Sequence, residues 1–199
     1  MITGKSGTLR NTGRKQRERH MREKENLRIR QAGPADYEQV RDFYYYLIDA
    51  MEGAAFSPGW ERDVYPTQEF LRDSLEKGEL YAGEIDGRMV ASMVVNHVYN
   101  EGYRNVRWTL QAADDALCVI HVLGVHPQFA GKGIAGQMAR AAIAMAREKG
   151  IKTVRLDVLE GNLPAEKAYG KVGFQYVDTV RMFYEDTGWT NYKLYEYIV

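Results

Sequence analysis

The chain has 199 residues, 45% of them hydrophobic, and its 27 Lys and Arg balance 27 Asp and Glu. That length buries one core unaided, which excludes a disulfide miniprotein, a fibrous repeat and a fully disordered chain. A lone cysteine, Cys118, excludes a disulfide framework and predicts a reducing, cytoplasmic setting, while no apolar run reaches the ~18 residues of a membrane span.

The neutral total hides an asymmetry. Residues 1–25 carry eight Lys or Arg against three Glu, leaving 19 basic and 24 acidic residues in the remainder. Without aromatics or hydrophobic periodicity this stretch reads as a basic leader, disordered or vector-derived, rather than a nucleic-acid-binding arm. Residues 26–199 are expected to form a single domain.

From Leu27 the pattern becomes regular. "LRIRQA" alternates as a strand, and Pro34 opens a helix whose Tyr37, Val40, Phe43, Tyr44 and Leu47 recur at three and four. "SPGWERDVYP" is loop, and "TQEFLRDSLEKG" is a short helix closed by Gly78. Asp86-Gly87 joins "ELYAGEI" to "RMVASMVVNHV" as a hairpin. Residues 99–115 read as a polar excursion, and "ALCVIHVLGV" (116–125) as a strand covered on both faces. Beyond it, Ile134, Met138, Ala142 and Met145 stripe a helix that ends at Gly150. A strand at 152–159, a short helix at 164–172 begun by Pro164, and strands at 174–184 and 191–198 complete the chain. The order describes an α/β (α+β) fold, a mixed sheet of about seven strands flanked by about four helices.

The glycines of "GKGIAG" (131–136) match the dinucleotide fingerprint G-x-G-x-x-G. That reading fails on context. Five residues, "HPQFA", separate Val125 from Gly131, and the 63 residues after Gly136 are too few for a doubly wound unit. A Walker A loop fails too, since Gly133 and not Ser or Thr follows Lys132.

Instead, "VHPQFAGKGIAGQM" resembles the pyrophosphate loop of the GNAT superfamily of N-acetyltransferases. Ala130 stands where that family carries Gln or Arg, Gly133 is the first glycine, and Ala135 the last small residue. A second block, "NLPAEKAYGKVGF", is similar to the family's Asn-x-x-Ala-x-x-Leu-Tyr-x-x-x-Gly-Phe, with Ala168 in the leucine's place. The likeness covers residues 27–199, and Asp157, five residues before Asn162, resembles the placing of the basic glutamate in the branch that acetylates ribosomal-protein N-termini.

The resemblance implies acetyl-CoA as co-substrate, a primary amine as acceptor (small molecule or peptide), and no metal. Backbone amides of Gly131, Lys132, Gly133, Ile134, Ala135 and Gly136 would hold the pyrophosphate with the helix dipole behind them. Leu123, Gly124 and Val125 would pair with the pantetheine arm, and Asn162 would bond that arm or cap the next helix. Tyr169 is implied as the acid for the leaving thiolate. An aliphatic amine, of intrinsic pKa ~10.4, must also lose a proton. His121 and Asp157 are the candidate bases; alternatively His121 is a satisfied core histidine and Asp157 a partner of Arg155. Glu61, Asp63, Asp114 and Asp115 are candidates to attract a cationic acceptor. A non-catalytic acyl-CoA sensor is the rival reading, and monomer and homodimer both stay open, with strand 191–198 as a candidate dimer edge.

Overall fold

The computed structural model describes residues 26–54 and 56–199, so the basic stretch 1–25 lies outside the described residues. Seven strands form one sheet: β1 (Arg28–Gln31), β2 (Leu80–Ile85), β3 (Arg88–Asn96), β4 (Leu117–Val125), β5 (Thr153–Leu159), β6 (Gln175–Tyr184) and β7 (Gly188–Ile198). Their spatial order is β1-β2-β3-β4-β5-β7-β6. Every neighbouring pair is antiparallel except β4 and β5, which run parallel. A parallel pair demands a crossover, and the helix after the glycine turn supplies it.

Four α-helices cover the sheet: α1 (Tyr37–Met51), α2 (Gln68–Glu76), α3 (Ile134–Glu148) and α4 (Leu163–Val172). On one face Val40, Phe43, Tyr44 and Leu47 of α1 meet Leu71 and Leu75 of α2 over the central strands. On the other, Met138, Ala139, Ala142 and Ala146 of α3 lie against β4 and β5. The small residues of that stripe bring the helix axis close to the strands. The sequence-derived element order holds throughout, with shifts of a residue or so at most boundaries.

Two expectations need correction. Residues 99–115 are no polar excursion, because Tyr103, Val106 and Trp108 are buried in a third cluster with Leu117, Val119, Met182 and Leu194. Strand 191–198 is no dimer edge either: β7 begins earlier, at Gly188, and lies between β5 and β6, which leaves β6 outermost.

A buried ion pair fastens the 99–115 segment. Arg155 and Glu196 are register partners on β5 and β7, and Arg155 Nε donates to Glu196 Oε1 at 3.1 Å. Arg155 Nη2 donates to the Leu110 carbonyl at 2.7 Å, and the Leu110 N–H donates to Glu196 Oε2 at 3.2 Å. Thr153 Oγ1 also donates to Glu196, and the guanidinium lies 4.0 Å from the centroid of the Trp108 ring. Arg155 therefore does not pair with Asp157. Desolvation lowers the Arg155 pKa despite its partner, which marks the pair as costly to bury and costlier to break.

Arg155→Met should destabilise the protein by about 3–5 kcal/mol in urea unfolding, since Glu196 would stay buried without its cation. Adding Glu196→Leu should recover most of that loss; a single-variant cost below about 1 kcal/mol would show that the pair does not secure this segment.

Candidate active site

The strands β4 and β5 are paired only at Leu117↔Thr153, Cys118↔Val154 and Val119↔Arg155. From Ile120 onward β4 keeps its bonds to β3 but has no partner on the β5 side, while β5 continues along β7 to Leu159. The two strands thus part like the arms of a V. Their divergence coincides with a bulge in β4, where the register against β3 shifts between Ser92 and Val94.

Val122 stands at the bulge with a φ of 44°, a left-handed conformation that a β-branched residue seldom takes. The strain is held from outside, by Tyr44 of α1, whose buried hydroxyl donates to the Val122 carbonyl at 2.8 Å. Gly124 completes this support. A Cβ there would lie 2.5 Å from Leu47 Cδ2, so its missing side chain is what lets α1 close on the strand.

A cavity opens between the arms. Ile120, His121, Val122 and Leu123 line it from β4, and Asp157, Val158 and Leu159 from β5. Asn162, Ala165 and Tyr169 close it from the α4 side, and Tyr184, Asp186 and Tyr192 from the β6–β7 hairpin. Pro58, Trp60 and Tyr65 roof it from the loop between α1 and α2. The cavity therefore gathers His121, Asp157, Tyr169, Asn162 and Leu123 from distant parts of the chain.

Asp157 is half-buried at the cavity wall. The Tyr103 hydroxyl donates to its Oδ2 at 2.8 Å and the Tyr184 hydroxyl donates to the same oxygen at 2.9 Å. Burial raises the carboxyl above the ordinary range and outweighs these two bonds, which pull the other way. His121 sits differently. Its Nε2 faces the Val98 carbonyl at 2.9 Å and Asn96 Oδ1 at 3.0 Å, two acceptors, so that nitrogen carries the proton. Burial pushes the ring down to about 4, and it is neutral near pH 7 with Nδ1 as its lone-pair nitrogen.

Tyr169 is 8% exposed, packs edge-on against Phe174 and is kept protonated by burial. Among the described residues its hydroxyl has no hydrogen-bond partner. Asn162 caps α4, its Oδ1 accepting from the Ala165 N–H at 3.3 Å.

The glycine loop lies just past the end of β4. A 3₁₀ turn at Pro127–Phe129 leads into it, with His126 stacked on Tyr46. Gly131 and Gly133 adopt φ of 76° and 78°, and Gly133 is the N-cap of α3. No protein atom comes within 4 Å of a Cβ placed on either, so glycine is required by the backbone and open space remains above it. Such a turn before a helix start presents a nest of amides suited to an anion. Ile134 is buried beneath the loop, Gly136 packs against Val172 of α4, and the Lys132 ammonium lies 5.1 Å from the Phe129 ring centroid. The loop, with Gly124 and Val125, extends the open β4 edge away from the cavity.

Sequence reasoning missed four groups of this site: Tyr65, Tyr103, Tyr184 and Asp186. Tyrosines at irregular spacing carry no local signal, and Asp186 sits in a hairpin turn where acidic residues are ordinary. Of the acidic residues expected to draw a cation, Asp63 instead accepts from Tyr45 and Gln68, and Asp114 from Tyr99. Among the described residues no group of three or more His, Cys, Asp or Glu is placed to hold a metal, and no helix is long and apolar enough to cross a membrane.

Comparison with known proteins agrees with this geometry. The acetyltransferase (GNAT) family profile matches residues 41–174. Mycothiol acetyltransferase from Streptomyces bingchenggensis (strain BCW-1) is 30% identical over 80 residues, 40% of this chain and 26% of that protein, so the match spans about a quarter of the curated relative. A GNAT-family acetyltransferase structure from Streptococcus agalactiae 2603 superposes with a TM-score of 0.72 at 21% identity, over 88% of this chain and 96% of the other. A Salmonella typhimurium structure described as an acetyltransferase with its cofactor acetyl-CoA gives 0.64 at 17% identity, over 87% and 94%.

Asp157 offers a direct check on the electrostatics. Its folded pKa is raised, so the stability it contributes is fully present below the unfolded carboxyl value of ~3.9 and is lost as pH climbs through the folded value. Asp157→Asn, neutral at every pH, should therefore melt higher than the parent near pH 8, with the gap closing toward about pH 4. Melting curves across that range test this, and equal melting temperatures near pH 8 would refute it.

Proposed function

The chain belongs to the GNAT acetyltransferase family, and from that premise we propose that it takes an acetyl group from acetyl-CoA and delivers it to a primary amine by direct transfer within the V between β4 and β5. The observation that carries the proposal is the convergence in one cavity of a half-buried carboxylate, a protonated phenol and an unpaired strand edge.

The residues present fit the co-substrate. The amides of residues 131–136, the dipole of α3 and the charge of Lys132 are suited to its diphosphate. The open edge of β4 from Ile120 to Val125, ending in Leu123, Gly124 and Val125, can pair with an amide-bearing arm as another strand would. Asn162 has its Oδ1 engaged by the helix cap and keeps its amide N–H₂ for that arm. When bound, the co-substrate supplies an activated acyl carbon and a thiolate leaving group.

Asp157 is the base we assign. An incoming ammonium gives up a proton to this carboxylate, whose raised pKa brings it nearer neutrality than an ordinary aspartate, and the free amine then attacks. The Tyr103 and Tyr184 hydroxyls hold Oδ2, which leaves Oδ1 as the oxygen for that proton. His121, with its pKa near 4 and Nε2 tied to Val98, is a poor proton acceptor at neutral pH and serves as a neutral wall. A β4 backbone N–H facing the gap stabilises negative charge on the carbonyl oxygen. Tyr169, held protonated, gives its proton to the departing thiolate and recovers it from solvent.

The protein is assigned one catalytic domain over residues 26–199. A non-catalytic acyl-CoA sensor has weaker support, because a sensor has no use for a half-buried base and a phenol kept protonated at one point.

Thiol release from acetyl-CoA, measured over a panel of amines, tests these roles. Tyr169→Phe and Asp157→Asn should each lower kcat by about a hundredfold or more with acetyl-CoA affinity retained, whereas His121→Gln should cost less than about tenfold. Tight cofactor binding with no release from any amine, unchanged in Tyr169→Phe, would favour the sensor. A larger loss in His121→Gln than in Asp157→Asn would transfer the base to the histidine.

A further inference from the structure

The cavity holds a second carboxylate that acetyl transfer by itself does not use. Asp186 belongs to the tight turn between β6 and β7, and its side chain lines the same cavity as Asp157. Its Oδ1 is buried and has no hydrogen-bond partner among the described residues. A buried carboxylate oxygen without a donor is expensive unless a ligand supplies one.

The rest of the lining offers no compensation. Among the described residues it contains no Lys or Arg, and its one histidine, His121, is neutral. Trp60, Tyr65, Tyr184 and Tyr192 instead present aromatic rings. Such rings shield charge from water and attract cations through their faces. Burial pushes the Asp186 carboxyl up to about 6, opposed by the turn amides of Asp186 and Thr187 and reinforced by the charges of Glu61 and Asp157. Two acids thus share an enclosed space with no positive charge to balance them.

A single ammonium cannot serve both. The reacting amine must surrender its charge before attack, so whatever neutralises Asp186 through the reaction has to be a different, permanent cation. We infer that the acceptor is a short aliphatic amine with a second cationic centre, held at Asp186 between the rings of Tyr65 and Tyr192 while its reacting nitrogen meets Asp157. This rests on the acetyl-transfer reading above and narrows it to one substrate class.

The hairpin position gives the residue a defined geometry. Tyr184 and Gly188 are paired across the turn, and the loop at Gly59 lies directly against Thr187. Asp186 is therefore fixed between two elements that form the mouth of the cavity, and its reach sets the spacing between the acceptor's two nitrogens.

The test uses the full chain saturated with coenzyme A and calorimetric binding of short α,ω-alkanediamines, each paired with the monoalkylamine of the same length. Thiol release from acetyl-CoA is measured with the same amines. The wild type should prefer the best diamine over its monoamine by about tenfold to a hundredfold, the range of one charge-assisted hydrogen bond. Asp186→Asn should bring that ratio close to one, through KM rather than kcat. Asp186→Lys should exclude diamines and still accept monoamines, which also shows that the turn tolerates substitution. A wild-type ratio near one, or a ratio unchanged in Asp186→Asn, overturns the inference. Release with every amine alike would sink this inference and leave acetyl transfer standing. Asp186-dependent diamine binding with no release from any amine would do the reverse.

Discussion

Every functional feature of the molecule depends on the point where β4 and β5 stop sharing hydrogen bonds, just after Val119 and Arg155. Two parallel strands in mid-sheet normally remain paired, because each unpaired amide in the interior costs free energy. Here the separation is enforced. The Val122 bulge turns β4 aside, Tyr44 satisfies the carbonyl that the bulge misdirects, and Gly124 lets α1 press against the back of the strand. The amides left open on β4 are the binding groups of the proposed site, which the defect in the sheet creates.

The chemistry of the gap follows from what walls it. Phenols and an indole exclude water without bringing charge, and within them Asp157 is held by Tyr103 and Tyr184 in one orientation. Low polarizability around that carboxyl raises its pKa, which trades stability at neutral pH for a group able to take a proton. Two residues earlier on the same face of β5 the opposite solution is used. Arg155 and Glu196 stay paired and saturated with hydrogen bonds, so that their burial clamps the 99–115 segment that delivers Tyr103. One ion pair on this face of β5 therefore supports the orientation of a carboxylate two residues further along the same face.

The proposed catalytic constellation and its supports join elements of very different sequence separation. Tyr103 and Asp157 are 54 positions apart, and Tyr44 and Val122 are 78 apart. No local pattern encodes such meetings. The sheet order likewise inserts β7 between β5 and β6, which brings the β6–β7 turn and its Asp186 to the cavity.

What the sequence alone determined was everything governed by short-range rules. Periods of two and about 3.6 gave seven strands and four helices in the right order, Asp86-Gly87 gave the hairpin, and Gly131 and Gly133 gave a turn that only glycine forms cheaply. Tyr169 and Asn162 were visible within a recognisable block, and His121 and Asp157 by their fixed intervals ahead of the two blocks. Tertiary structure alone decided which of them meet, that Arg155 turns to Glu196, that residues 99–115 carry a buried cluster rather than solvated loop, and that Asp186 faces inward. The physical reason is range: backbone propensity acts over a few residues, whereas burial and its effect on charge depend on neighbours that only the folded sheet brings together.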